Sequence, residues 1–112
     1  RSTGSVSLDP DRIYHHILSA ASEWTAADED ARRLKELQPI VLAELTNHMS
    51  GESMAERKAL ALADPQYKLH VTQMVAAKTK ANAAKARYDA AKNLSELRRS
   101  QESTARAEMQ LR

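Results

Sequence analysis

Four histidines and one long run of cations are the residues of this 112-residue chain whose types could do chemistry. His15 and His16 are adjacent, so on a helix they point about 100° apart and cannot grip one metal together. His48 and His70 approach each other if the chain reverses between them, and Glu44 is then a candidate third ligand. The competing use is a pair of seam-edge histidines beside a turn. We take that use, so no metal ligands and no cofactor are expected. The chain has no Cys, which removes disulfides, thiolate metal sites and Cys nucleophiles. It also lacks a phosphate-cradling glycine loop, a serine elbow and an H-E-x-x-H pattern. No catalytic residue is named, and an enzyme is not expected.

The cations are the better candidates. Lys78, Lys80, Lys85, Arg87, Lys92, Arg98, Arg99 and Arg106 form a basic stretch that can follow phosphates or meet an acidic partner. Their competing use is pairing inside the chain. Residues 1–64 carry seven Lys/Arg against eleven Asp/Glu, whereas residues 65–112 carry ten against four. The formal charges of the two halves are therefore −4 and +6, and Pro65 to Tyr88 holds no acid at all. Opposed halves attract each other or offer a basic surface to something acidic. Arg98, Arg99 and Arg106 lie beyond the main acidic cluster and are expected to be the free cations. Trp24, Tyr67 and Tyr88 are stacking platforms for bases in principle, but their spacing suits a helix seam better. The four Met, at 49, 54, 74 and 109, suit gap filling.

Two long helices must position these groups. The spacing predicts helices over about 10–49, 54–63 and 65–109. Asp9-Pro10 is a cap followed by a first-turn proline, and Asp64-Pro65 repeats the signal. In the first helix, Ile13, Ile17, Ala20, Trp24, Ala27, Ala31, Leu34, Gln38, Val41, Leu45 and His48 keep alternating four- and three-residue steps. Such a repeat is a coiled-coil-like seam. It holds its phase across Pro39, so a kink is expected there rather than a break. Ser50-Gly51 ends the helix, with Gly51 read as a left-handed C-cap. Ser53 and Glu56 form a capping box for the short helix. In the last helix the seam runs through Tyr67, Val71, Met74, Ala77, Ala81, Ala84, Tyr88 and Ala91, then drifts onto Leu94 and Leu97.

With one helix ending near 49 and the next long one starting near 65, Trp24 falls opposite Ala90 and Ala91, beside Tyr88. The same register sets Glu23, Asp28 and Asp30 against the stretch from Lys80 to Lys92. The expected fold is all-α: a long antiparallel helical hairpin, coiled-coil-like, with a short helix at the turn. Residues 9–112 are read as one domain, and residues 1–8 as a flexible leader whose start (RSTGS) is an appended remnant or a truncated beginning.

The segments AERKALALADP, DPQY and LSELRRSQESTARAEM, following a turn with Gly51, resemble uncharacterised small helical proteins of phages and prophages. Some of those are encoded near recombination genes. The resemblance implies a phage setting and cytoplasmic residence in a bacterial host, permits a role in DNA metabolism, and supplies no functional residues. Antiparallel-hairpin secretion substrates carry a Trp-x-Gly turn, whereas the one Trp here is followed by Thr25-Ala26; that family is set aside. No apolar run approaches the roughly 18–20 residues that span a bilayer, so no membrane is expected. A helical interaction module remains, joining a homo-oligomer (a dimer first) or a protein partner. Leu18, Leu37, Ile40, Leu42 and Leu69 broaden its apolar stripe for that purpose. The alternative is a nucleic-acid-binding accessory protein, for phage recombination or host takeover, acting through the basic last helix.

Overall fold

A computed structural model describes residues 9–111. The leader at 1–8 lies outside the described residues. Three helices follow in order: α1 (Pro10–His48), α2 (Met54–Ala63) and α3 (Pro65–Gln110). The fold is all-α, an antiparallel helical hairpin with α2 placed between its two long arms.

Local chemistry sets each boundary. Asp9 accepts the Asp11 amide at 3.2 Å, and Asp64 accepts the Gln66 amide at 2.8 Å. In both places the proline follows the cap, where its missing N–H costs nothing. Ser53, extended at φ −125° and ψ 159°, accepts the Glu56 amide at 3.1 Å. The Glu56 carboxylate reaches back to the Glu52 amide at 3.0 Å, one residue before the position a standard capping box uses. Pro39 sits inside α1 on its exposed side, and the helix runs through it.

Gly51 departs from expectation. Its backbone does not take the left-handed conformation of a C-cap. A Cβ here would lie 3.0 Å from Arg57 Cγ and 3.3 Å from Glu56 Cβ, so glycine provides space for α2 to approach. The Arg57 guanidinium then donates to the Gly51 carbonyl at 2.9 Å. α1 ends instead on a tightened turn, with the Met49 amide on the Thr46 carbonyl at 3.2 Å.

The chain divides into two compact units, and both long helices contribute to each. The terminal unit joins the start of α1, through Trp24, to α3 from Ala83 onward. Its buried apolar residues are Ile13, Ala20, Ala84 and Ala91, with Trp24 and Tyr88 half-buried beside them. The turn unit, Thr25–Asn82, holds the rest of both arms and α2. Its buried apolar residues are Ala27, Leu45, Ala61 and Ala81. The apolar seams follow the expected positions on α1 from Ile13 to Leu45 and on α3 from Tyr67 to Ala91. Past Ala91 the inward positions are Leu94, Ser95, Arg98 and Glu102, while Leu97 is exposed. The original three-and-four phase thus continues onto the polar Ser95, Arg98 and Glu102, with Leu94 half-buried beside it as expected and Leu97 left outside.

Candidate interaction surface

In the turn unit two polar contacts tie α1 to α3. The Gln38 amide donates to the Tyr67 hydroxyl at 2.9 Å. His70, only 8% exposed, places Nε2 2.8 Å from the Leu34 carbonyl oxygen. A carbonyl only accepts, so Nε2 carries the proton. His48 is exposed. Glu44, His48 and His70 line one shallow groove with Leu69, Gln66 and Gln73, yet no three His, Cys, Asp or Glu among the described residues are placed to hold a metal. Its burial and its bond to Leu34 make His70 part of the packing between α1 and α3, a role its sequence position at the seam edge understated.

In the terminal unit the aromatic rings of Trp24 and Tyr88 lie 5.3 Å apart and tilted by 33°. Trp24 meets Tyr88 itself. These rings, like Tyr67, face the opposite helix and are not free platforms for bases. Lys85 Nζ lies 6.0 Å from the Trp24 ring and Lys92 Nζ 5.4 Å from the Tyr88 ring, at the reach of a cation–π contact.

The acidic-to-basic pairing expected between the long helices is realised at Glu23 and Arg87, 3.4 Å apart. Asp28 instead pairs with Arg32, and Asp30 with Arg33, both within α1. Lys85 likewise reaches Asp89 on its own helix at 3.8 Å. Residues three and four apart on one helix face each other without spanning an interhelical gap, so local pairs form first. Arg98 was expected to be free. It is half-buried and bonds Glu102 at 2.8 Å, again four residues on. Lys78, Lys80, Arg99 and Arg106 are exposed and, among the described residues, make no ion pair.

One of these free cations enters a groove built by both arms of the turn unit. Lys78 lines a cleft of about 480 Å³ together with Arg32 and Lys35 of α1. Half-buried Ala31 and Met74 form its floor, and Val75, 62% exposed, stands at its edge. The α1 cations are masked in the sequence by the net acidity of the half in which they lie. Their signal was the spacing, since Arg32 and Lys35 sit one residue past the seam positions Ala31 and Leu34.

Among the described residues no helix is long and apolar enough to cross a membrane. Comparison with protein-family models, curated proteins and solved structures finds no match for this chain.

Proposed function

We propose that the chain is a non-enzymatic helical interaction module that self-associates, a dimer being the first assembly. One observation carries this: most of the buried apolar side chains are small, while several large ones stay exposed. Six of the eight buried apolar residues are Ala, and no large side chain is fully buried among the described residues. Meanwhile Leu37, Ile40 and Leu69 of the turn unit are 38%, 51% and 58% exposed.

These three converge on one side. Leu37 and Ile40 share with Glu44 the three-and-four spacing of a single helix face, and Glu44 lines the same groove as Leu69. The surrounding groups are mostly neutral, with Gln66 and Gln73 prominent. An apolar patch whose rim carries a single carboxylate, Glu44, can meet its own copy across a two-fold axis with little opposition of like charges. Sedimentation across micromolar to millimolar concentration tests this. A dimer is expected for the natural chain and a monomer for the Ile40→Glu/Leu69→Glu variant. A monomer for both rejects the proposal.

A second reading is a nucleic-acid-binding accessory protein, in the phage setting that the sequence resemblance implies. Its support is the exposure of Lys80, Arg99 and Arg106 on α3 without ion pairs among the described residues. It requires a DNA or RNA shift that weakens steeply with salt. No shift at low salt removes it.

A further inference from the structure

We propose that the cleft between α1 and α3 in the turn unit is a docking groove for an acidic amphipathic helix of another protein. It is a different surface from the Leu37–Leu69 side and does not depend on self-association.

The groove combines two features. Its floor and edge are apolar, from Ala31, Met74 and Val75. Its rim carries Arg32, Lys35 and Lys78 against the single carboxylate of Asp28. Asp28 is already paired with Arg32, while Lys35 and Lys78 have no ion-pair partner among the described residues. The unspent charge is therefore positive and stands on both walls, Lys35 on α1 and Lys78 on α3.

That pattern selects an occupant. A second copy of the groove would bring the same cations face to face. Residues 1–8 of the chain contain no carboxylate side chain to answer the rim. A phosphate backbone would satisfy the lysines but has nothing for Val75 and Met74 to cover. A helix with an apolar stripe and flanking Glu or Asp matches both features at once. Its apolar residues cover the floor, and carboxylates on either side of the stripe meet Lys35 and Lys78. Polarizable, flexible Met74 lets the floor adjust to the inserted side chain.

The test uses the full chain and a labelled helical peptide of about 15 residues, long enough to hold some helix, with Leu at heptad spacing and Glu on both flanks. Fluorescence anisotropy should show saturable, salt-sensitive binding. Lys35→Glu/Lys78→Glu should weaken it about tenfold or more, as two reversed rim charges would. Val75→Ser and a peptide with Leu replaced by Ser should each weaken it severalfold. Lys58→Glu, the same type of charge reversal at a single site on α2 outside the groove, should leave binding within about twofold. All substituted positions are exposed, and circular dichroism checks that each variant keeps its helix content. The Leu69→Ser variant should bind as the natural chain does, separating this groove from the dimer face. The proposal is overturned by equal losses for Lys58→Glu and Lys35→Glu/Lys78→Glu, by equal binding of a Glu→Gln peptide, or by a duplex DNA that binds through these lysines when the peptide does not.

Discussion

Replacing His70 by Ala separates two histidines that the sequence treats alike. His70 is buried, bonds the Leu34 carbonyl at 2.8 Å and touches both arms of the turn unit; His48 is exposed at the end of α1. Three effects set the size of the loss. The hydrogen bond contributes about 1 kcal/mol. Removing the ring from its packed position costs about 1–2 kcal/mol more. The better helix propensity of Ala returns roughly 0.5 kcal/mol. The Leu34 carbonyl keeps its bond within α1, so no orphaned acceptor adds to the cost. The net destabilisation is about 2 kcal/mol. With an m-value of about 1–3 kcal/mol/M, the urea midpoint falls by roughly 1 M. Urea unfolding followed by far-ultraviolet circular dichroism reads this directly, at fixed protein concentration so that self-association does not enter. His48→Ala should stay within about 0.5 kcal/mol of the natural chain. His70→Gln, which retains a donor, should recover part of the loss. Equal stabilities for the two alanine variants would refute the assignment of His70 to the interhelical contact.

Other outcomes follow from the same geometry. Ala84→Leu adds bulk at a position 2% exposed, and should cost about 2–3 kcal/mol in the same unfolding assay. Trp24→Ala loses a half-buried ring stacked on Tyr88 and should cost about 2–3 kcal/mol, with Trp24→Phe recovering most of it. Ser53→Ala removes the acceptor for the Glu56 amide and should destabilise by about 1 kcal/mol, visible as faster amide exchange in the first turn of α2. Tyr67→Phe removes the acceptor for Gln38 and should cost about 1 kcal/mol; a double-mutant cycle with Gln38→Ala should return that coupling.

Much of this architecture is written in side-chain spacing. Ile13 through Leu45 and Tyr67 through Ala91 announce two seams because apolar side chains must lie on one side of a helix to be buried together. Asp9-Pro10, Ser53 with Glu56, and Asp64-Pro65 announce the starts because few residue types satisfy the first amides of a helix. Gly51 was legible as an exception but not in kind. A glycine marks either unusual backbone angles or a close approach, and only the position of Arg57 decides between them. The charges were the least legible. Asp28 had α3 lysines and its own Arg32 within prospective reach, and composition does not say that the local partner prevails. The Arg32–Lys35–Lys78 groove was hidden for a related reason: its cations come from opposite arms, and the acidic average of the first half masked the local positive charge of α1.

What then chooses the register of the arms, if the ion pairs are mostly local? Pairs such as Arg32 with Asp28 or Lys85 with Asp89 form equally well in any alignment, since both partners ride on one helix. They stabilise helix without selecting a neighbour. Selection needs contacts whose partners sit on different helices. The turn unit has Gln38 with Tyr67 and His70 with Leu34. The terminal unit has Trp24 with Tyr88 and Glu23 with Arg87. In the turn unit, sliding one arm past the other by a helical turn would part Gln38 from the Tyr67 hydroxyl within the seam, a cost of about 1 kcal/mol. The alanine-rich seam around them is permissive by comparison, because one alanine resembles the next. Swapping Gln38 and Tyr67 for Leu should therefore keep or raise helix content while loosening the alignment. The check is a spin label on each arm of the turn unit: the distance distribution should broaden in the Leu variant and stay narrow in the natural chain. A distribution equally narrow in both would mean that shape alone aligns the arms.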